Sequence, residues 1–249
     1  MKKERLDKLL VQRGLAPTRQ RAQALILGGV VLVNDRPSTK AGTAIPEDAE
    51  LRLKGNPIPY VSRGGLKLEG ALKAFPIPLE GRVAMDVGIS TGGFTDLLLQ
   101  RGVARVIGLD VGKGQIDWKL RNDPRLTLFE NTNARYFDPA LLDEIPDLVV
   151  IDVSFISLTL ILPVVWLCVA PGGDVFPMVK PQFELSREDI GKHGVVRNPE
   201  KHVEAVQRVR RCALELGFEI LGEEQSPVPG PKGNIEFFLH LKRPEESAD

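Results

Sequence analysis

Residues 86–94 read DVGISTGGF, and this junction constrains the fold more than any other stretch of the chain. An apolar run ends at an acidic residue and a loop of small residues follows, which is typical of a strand-to-helix turn that seats a nucleotide-containing cofactor. The spacing of Gly88, Gly92 and Gly93 is Gly-x-x-x-Gly-Gly, which differs from the Gly-x-Gly-x-x-Gly of dinucleotide sites. A turn whose glycines serve only tight packing is the alternative interpretation.

Strand and helix patterns alternate along the chain after residue 60. Apolar runs predict seven strands, at 82–86, 105–110, 126–129, 148–152, 174–180, 218–224 and 234–241. Helical patterns lie between them, at 94–101, 116–121, 158–166 and 199–216. This alternation predicts a Rossmann-like α/β fold with a mostly parallel, seven-stranded sheet that is covered on both faces. Ligands of such a fold bind at the carboxyl ends of the strands.

The first 55 residues have a different pattern. Leu6, Leu9 and Leu10 recur at helical spacing, and Thr18 is placed to cap a second helix. Two short strands follow, at 30–33 and 49–53. We therefore predict a small α+β domain at 1–55, a linker rich in glycine and proline at 56–60, and a larger domain at 61–249.

The formal net charge of the chain is zero, but its charges are unevenly distributed. Residues 1–60 carry 11 lysines and arginines against 6 acidic residues, so the rest of the chain is negative by the same amount. Between Asp7 and Asp35 every charged residue is basic. This pattern indicates that the N-terminal domain contacts a polyanion, and an ordinary solvated face is the alternative.

Polar residues stand at the ends of five predicted strands. Asp86, Asp110, Asp152 and Lys180 each end a strand, and the sequence NTN follows another. Because the carboxyl ends of parallel strands share one edge of a sheet, we expect these side chains to lie along one rim. Asp110 is suited to accept hydrogen bonds from ribose hydroxyls. Asn133 is suited either to an adenine edge or to a plain turn.

Several classes of protein fit the sequence poorly. Cys168 and Cys212 have no disulfide or Cys-x-x-Cys spacing, which predicts buried thiols in a reducing compartment. The three histidines lack the spacing of metal ligands, so no metal site is predicted. The chain does not start with an apolar signal segment, and its longest uncharged run, 155–170, is shorter than a bilayer span. We therefore expect a cytoplasmic protein without a membrane-spanning segment.

Two sets of motifs carry family resemblances. Six segments read VSRGGLKLEGAL (61–72), DVGISTGGFTD (86–96), IDVSFISL (151–158), VKPQFE (179–184), HGVVRNP (193–199) and GNIEFFL (233–239). Together and in this order they resemble the hemolysin-named TlyA family of ribosomal RNA 2′-O-methyltransferases, which are related to the FtsJ enzymes. Residues 4–54 resemble the alpha-L RNA-binding motif of a small-subunit ribosomal protein, and the motif is reproduced most fully at 19–35.

The resemblance implies a class I methyltransferase that uses S-adenosylmethionine as its methyl donor. It assigns catalysis to Lys67, Asp152, Lys180 and Glu236. It assigns contacts with the methyl donor to Asp86, Gly88, Ser90, Thr91, Gly92, Gly93, Phe94, Asp110 and Asn133. It assigns RNA phosphate contacts to Arg19 and Arg21, with Arg5 and Arg13 as further candidates. The implied partner is ribosomal RNA or a ribosomal subunit, and the implied methyl acceptor is a cytidine.

The residues suit the transfer of a methyl group from a sulfonium to a ribose hydroxyl. The hydroxyl is a poor nucleophile, whereas the methyl group is already activated by the positive sulfur. The protein then has to align the oxygen, the methyl carbon and the sulfur and to help remove the hydroxyl proton. Such alignment can lower the reaction barrier by ~7–11 kcal/mol. Lys180 is the candidate for contact with the 2′-oxygen, and both a neutral amine and an ammonium fit the sequence. Exocyclic-amine and cytosine-carbon transfer fit poorly, since Asp152 is not followed by a Pro-Pro-aromatic segment and neither cysteine is placed as a nucleophile.

Three other functions stay open from the sequence alone. They are an RNA-binding ribosome-assembly factor with vestigial catalysis, a haemolysin-like membrane-active protein, and a nicotinamide-dependent enzyme. The segment 184–196, which contains Arg187, Lys192 and His193, is either a lid over the RNA or an ordinary long loop. The sequence predicts no oligomeric state.

Overall fold

The computed structural model describes residues 3–34, 36–54 and 58–245. The chain divides between Pro59 and Tyr60 into two compact units, unit 1 (Met1–Pro59) and unit 2 (Tyr60–Asp249). The predicted domain boundaries, with a linker at 56–60, stay a prediction, because residues 55–57 lie outside the described residues.

Short helices and strands make up the described part of unit 1. They are β1 (Lys3–Arg5), α1 (Leu6–Gln12), α2 (Arg19–Leu27), β2 (Val31–Val33), β3 (Arg36–Pro37), β4 (Ala44–Pro46) and β5 (Leu51–Leu53). β1 pairs antiparallel with β4, and β2 lies between β3 and β5. Thr18 caps α2 as predicted, because its Oγ1 accepts a hydrogen bond from the backbone N–H of Arg21. Leu6, Leu10 and Ile26 are fully buried in a core that belongs to this unit.

Unit 2 alternates helices and strands. Its first half contains α3 (Gly64–Ala74), β6 (Val83–Val87), α4 (Gly93–Gln100), β7 (Arg105–Leu109), α5 (Trp118–Arg121) and β8 (Leu126–Phe129). Its second half contains β9 (Leu148–Ile151), α6 (Leu162–Cys168), β10 (Asp174–Val179), α7 (Pro181–Glu184), α8 (Pro199–Leu216), β11 (Glu219–Gln225) and β12 (Phe237–Lys242). Short 3₁₀ turns join these elements, among them Ala134–Tyr136 and Leu158–Leu160.

The seven strands of unit 2 form one sheet in the order β11-β12-β10-β9-β6-β7-β8. β12 runs antiparallel to β10 and β11, and the other neighbours are parallel. The predicted mostly parallel, seven-stranded α/β sheet is therefore confirmed. In the register, Val87 of β6 lies beside Leu109 and Ile151, so the residues that follow these strands emerge at one edge.

Three features of unit 2 are among those that differ from the expectations. α3 was not predicted, since its glycine-rich start has no side-chain cap at Arg63. The predicted helix at 158–166 is a 3₁₀ turn followed by α6, because Pro163 lacks an N–H and is confined to the first turn of a helix. Cys168 is buried, which raises the pKa of its thiol to about 11, whereas Cys212 is only half-buried.

Candidate active site

An open cavity of about 440 Å³ lies at the carboxyl edge of the sheet. Residues that follow four neighbouring strands, β9, β6, β7 and β8, line it. Among them are Gly88, Ser90, Asp110, Asn133, Asp152, Ser154 and Phe155. Of the predicted rim, Asp110, Asp152 and the NTN residues Thr132 and Asn133 line this cavity, whereas Asp86 and Lys180 do not.

Close packing explains the glycines of the loop after β6. Gly88 has a φ of +87°, and a Cβ on it would lie 2.7 Å from the backbone oxygen of Asp152. A Cβ on Gly93 would lie 2.2 Å from Oγ of Ser62, where α4 packs on α3. Gly92 meets the side chain of Leu120 in the same way. Close packing therefore requires glycine at these three positions, and Gly88 also lines the cavity.

Asp110 and Ser90 shape one side of the cavity. Asp110 Oδ2 accepts a hydrogen bond from the backbone N–H of Ser90 at 2.8 Å, and Oδ1 accepts one from Gly112 at 2.7 Å. Ser90 adopts a left-handed conformation with a φ of 48°. Because each carboxylate oxygen has two lone pairs, Asp110 keeps acceptor capacity for ribose hydroxyls. Neighbouring Thr91 is exposed, and its backbone oxygen accepts a hydrogen bond from Asp117.

Asn133 lines the cavity and also serves a turn. Its Oδ1 accepts a hydrogen bond from the backbone N–H of Arg135 at 3.0 Å, which caps the 3₁₀ turn Ala134–Tyr136. The turn interpretation of Asn133 is therefore correct for the side-chain oxygen. An adenine contact would use the other end of the amide, whose NH₂ is a donor.

Asp86 is the buried acid of the loop, with 1% of its surface exposed. Its Oδ2 accepts hydrogen bonds from the Thr95 backbone N–H at 3.1 Å and from Thr95 Oγ1 at 2.7 Å. Its Oδ1 is buried without a hydrogen-bond partner among the described residues. Burial raises the pKa of this carboxyl to about 7, although the hydrogen bonds from Thr95 oppose the shift. Phe94 beside it is buried against Phe238, with ring centroids 6.0 Å apart.

Two lysine–carboxylate pairs bring the four expected catalytic residues into contact, two by two. Lys67 Nζ of α3 lies 2.6 Å from Oε2 of Glu236, which precedes β12, and both side chains are buried. Lys180 Nζ lies 2.6 Å from Asp152 Oδ1, where β9 and β10 end side by side. These pairs join residues that are far apart in the sequence, so the fold and not local structure creates them.

The site contains residues that the sequence did not single out. Lys180 Nζ also donates a hydrogen bond to Ser154 Oγ at 2.9 Å. Phe155 is 90% exposed at the cavity, and its φ of 65° is strained for an aromatic residue. Its ring centroid lies 5.1 Å from that of Phe183. The sequence signal that could have identified Phe155 is an aromatic residue three positions after the strand-ending Asp152, in IDVSF.

Glu184 links the two loops that carry these groups. The carboxylate is 2% exposed, and it accepts hydrogen bonds from Ser157 Oγ and from the backbone N–H of Leu158 at 2.8 Å. Burial raises its pKa above the usual range. The segment after β9 and the segment after β10 are therefore held together by a buried charge.

The segment 184–196 is anchored at its far end. Asn234 Oδ1 accepts a hydrogen bond from the backbone N–H of Val196 at 3.1 Å, and Asn234 Nδ2 donates to the Gly194 carbonyl at 3.0 Å. His202 Nε2 bonds the Val196 carbonyl. The Lys192 side chain lies outside the described part of the structure.

The four arginines expected to bind RNA fall into three environments. Arg5 and Arg19 both donate to Asp7, at 3.0 Å in each case. Arg13 instead donates to the backbone carbonyls of Glu47 and Ala49. The backbone of Arg21 bonds the cap residue of α2, and its side chain is half-buried.

The described residues contain neither a metal cluster nor a membrane-spanning helix. Among them, no group of three or more histidine, cysteine, aspartate or glutamate side chains is placed to hold a metal ion. No helix within the described ranges combines the length and apolarity needed to span a bilayer.

Comparison with known families matches both units. A family model described as FtsJ-like methyltransferase matches residues 60–243. A model described as S4 domain matches residues 4–51.

Known relatives match the chain along nearly its whole length. YqxC of Bacillus subtilis (strain 168) is 49% identical over 100% of this chain and 89% of its own length. The 16S/23S rRNA (cytidine-2'-O)-methyltransferase TlyA of Mycobacterium tuberculosis (strain ATCC 25618 / H37Rv) is 45% identical over 99% of this chain and 92% of its own. A solved structure of a hemolysin-named protein from Streptococcus thermophilus is 43% identical, with a TM-score of 0.77 over 100% of this chain and 92% of that one. On these matches, the chain belongs to the FtsJ-like methyltransferase family.

Proposed function

We propose that this protein transfers a methyl group from S-adenosylmethionine to the ribose 2′-hydroxyl of a cytidine in ribosomal RNA. The observation that carries the proposal is the two lysine–carboxylate contacts in unit 2, the buried pair Lys67–Glu236 and the partly buried pair Lys180–Asp152. It is supported by the name of the Mycobacterium relative, which specifies this reaction. Such a substrate would place the protein in the cytoplasm.

The residues present fit the methyl donor. The cavity of about 440 Å³ is within the range of about 300–1,000 Å³ that is usual for small-molecule sites. Gly88, Ser90, Asp110 and Asn133 line it, and Asp86 offers a buried oxygen without a partner. Thr91, Gly92, Gly93 and Phe94 would support these contacts by fixing the loop and the start of α4. When bound, the donor supplies an electrophilic methyl group on a sulfonium.

Lys180 is the residue that would contact the 2′-oxygen. Nζ forms an ion pair with Asp152 and donates a hydrogen bond to Ser154 Oγ, and an ammonium has three N–H donors. One N–H therefore remains to hold the hydroxyl oxygen, and Asp152 keeps a second carboxylate oxygen as an acceptor for the hydroxyl proton. Lys67 and Glu236 form the second pair, in which Glu236 Oε1 is buried without a partner in the described residues and could accept from a substrate hydroxyl.

Phe155 would hold the target base. RNA-modifying enzymes commonly take an unstacked base onto an aromatic side chain. Phe155 is exposed at the cavity next to Asp152, and its contact with Phe183 fixes the orientation of the ring. Unit 1, with its excess of basic residues and its S4 match, would bind RNA phosphates and so position the enzyme on the ribosomal RNA.

A methyl-transfer assay tests the proposal. Purified protein is incubated with isotope-labelled methyl donor and either ribosomal subunits or their RNA, and nucleosides are analysed by mass spectrometry. We expect wild-type protein to produce 2′-O-methylcytidine. Lys180→Ala should reduce the rate by at least about 10²-fold, since proton-transfer and orienting groups typically contribute that much. Lys73→Ala removes an exposed lysine at the end of α3 and serves as the matched control.

Two outcomes would contradict the proposal. Unmodified RNA with active, folded wild-type protein would favour an assembly factor that only binds RNA. Full activity of Lys180→Ala would show that the lysine–carboxylate pairs do not carry the reaction. Release of dye from liposomes at micromolar protein would instead support the membrane-active alternative.

A further inference from the structure

A fully buried carboxylate lies within the unit expected to bind a polyanion. Asp7 is 0% exposed at the start of α1, in a unit where basic residues outnumber acidic ones. A buried negative charge opposes the attraction of this unit for phosphates, so it needs a physical explanation.

Asp7 connects two arginines from different elements. Its Oδ1 accepts from Arg5 Nε at 3.0 Å, and its Oδ2 accepts from Arg5 Nη2 at 3.0 Å, which makes this pair bidentate. Oδ2 also accepts from Arg19 Nη2 at 3.0 Å and from Gln23 Nε2 at 3.0 Å. Arg5 ends β1 while Arg19 begins α2, so one carboxylate contacts guanidinium groups from two different elements.

Each of the two arginines keeps N–H donors that Asp7 does not use. Their side chains are 44% and 52% exposed although each is bonded to a buried group. A guanidinium has five N–H donors, and Arg5 uses two of them on Asp7. The Arg5 guanidinium also lies against Gly42, where a Cβ would be 3.3 Å from Nη1. Fixed, half-exposed guanidinium groups of this kind suit the oxygens of a phosphate.

Arg13 differs from this arrangement. Its guanidinium donates to the carbonyls of Glu47 and Ala49, with no carboxylate involved, and these bonds hold the turn before β5. The four arginines of the expected RNA surface are therefore not equivalent.

We infer that Asp7 is a positioning residue for a phosphate-binding site formed by Arg5 and Arg19, an inference that rests on the proposed RNA substrate. Asp7 lowers the net charge of the site but holds both guanidinium groups in place before the RNA arrives. Long side chains lose conformational freedom when they bind, and groups that are already ordered lose less. Asp7 therefore weakens the electrostatic attraction for phosphate but keeps the two guanidinium groups ordered.

The substitution Asp7→Asn separates positioning from net charge. The variant removes one negative charge, so a purely electrostatic surface should bind RNA more tightly. Without the bidentate partner of Arg5, binding should instead weaken by about tenfold, and the slope of log affinity against log salt should fall by about 0.7–1 for each phosphate that is no longer neutralised. Asp48→Asn removes the same charge from an exposed position in unit 1 and is the matched control, with unchanged or slightly tighter binding expected.

Binding is measured by fluorescence anisotropy of the full-length protein with a labelled ribosomal RNA fragment over a range of salt concentrations. Thermal unfolding of each variant shows whether unit 1 remains folded. Arg19→Ala and the double variant Asp7→Asn/Arg19→Ala complete a cycle, in which the two effects should be strongly non-additive if Asp7 acts through Arg19.

The outcomes distinguish this inference from the proposed function. If wild-type protein binds and methylates RNA but Asp7→Asn binds as tightly as Asp48→Asn, the positioning role is wrong and the proposed function stands. Additive effects in the cycle likewise overturn it. If wild-type protein neither binds nor methylates RNA, both proposals fall.

Discussion

Three buried side-chain oxygens within the described ranges have no hydrogen-bond partner, and all three belong to segments at the carboxyl edge of the sheet. They are Asp86 Oδ1, Gln182 Oε1 and Glu236 Oε1. Leaving a buried acceptor unpaired costs about 1–3 kcal/mol, so such atoms are rare and are expected where a ligand supplies the missing donor. Their position supports the placement of donor and acceptor substrates at this edge.

Asp86 gives a prediction at the scale of one residue. Burial raises the pKa of Asp86 to about 7, so the folded chain holds this proton more tightly than the unfolded chain. The free energy of unfolding should therefore decrease as the pH rises from about 4 to about 7, by up to about 4 kcal/mol from this group alone. Asp86→Asn keeps an acceptor for Thr95 without the charge, so it should be more stable than wild type at about pH 8 and similar near about pH 4.

Urea unfolding of the unliganded protein, followed by tryptophan fluorescence, measures this effect, since both tryptophans lie in unit 2. Asp143→Asn removes an 81% exposed carboxylate but keeps Asp86, so its stability should depend on pH as that of wild type does. Equal stability of wild type and Asp86→Asn at both pH values would contradict the claim that the buried Asp86 carboxylate destabilises the folded protein when it is charged.

The sequence predicted which residues belong to the site but not which side chains they contact. The strand ends placed Asp86, Asp110, Asp152 and Lys180 at one edge, as found. That Lys67 pairs with Glu236 depends on α3, which the patterns did not predict. The role of Asp7 was also out of reach, because an acid beside basic residues in a helix has the same pattern whether exposed or buried.

At the scale of elements, apolar patterns located the strands of unit 2 to within a few residues. Strand β8 and helix α8 have the predicted bounds, and β12 begins three residues later than expected. The reason is clearest for β9 and β10, which are buried along their whole length and are therefore nearly continuous apolar runs. They failed for α3, whose glycines disfavour a helix by propensity but leave room for close neighbours, such as Tyr60 at Gly65 and Pro227 at Gly70.

The contact between α3 and α4 gives a prediction for two glycines. Gly93→Ala should destabilise unit 2 by about 1–3 kcal/mol, because its Cβ would lie 2.2 Å from Ser62 Oγ and 2.9 Å from the Gly65 backbone nitrogen. Gly64→Ala is the control on the facing helix, where the nearest atom is 3.3 Å away, and its effect should be less than about 1 kcal/mol.

Urea midpoints measured by tryptophan fluorescence compare the two variants. A Gly93→Ala protein as stable as Gly64→Ala would mean that the helices separate at little cost. The close packing would then not explain why glycine is required there.

At the scale of the whole molecule, the two units have separate cores. Unit 1 buries Leu6, Leu10 and Ile26 among its own residues, and the larger core of unit 2 includes Met85, Ile151 and other residues of the sheet. The charge division of the sequence follows the same boundary, with the excess of basic residues in the first 60. This organisation assigns RNA contact and methyl transfer to units that fold around different residues.

Leu10→Ala tests this division of labour. The loss of a fully buried leucine typically costs about 2–5 kcal/mol, which is a large part of the stability of so small a unit. We expect the variant to lose RNA affinity while its affinity for S-adenosylmethionine, measured by calorimetry, stays within about twofold of wild type, since that site draws on unit 2 alone. Leu27→Ala, at a 73% exposed leucine of the same unit, should change neither. Equal loss of both affinities in Leu10→Ala would contradict the division.

The central claim is that this protein methylates a ribose in ribosomal RNA and that the pairs Lys67–Glu236 and Lys180–Asp152 are required for the transfer. Mapping of 2′-O-methylation at nucleotide resolution tests it most directly, in ribosomes from cells that lack the gene and carry wild type, Lys180→Ala or Lys73→Ala. We predict at least one cytidine that is methylated with wild type and Lys73→Ala and unmethylated with Lys180→Ala or no gene. An identical methylation map in all four strains would contradict the account.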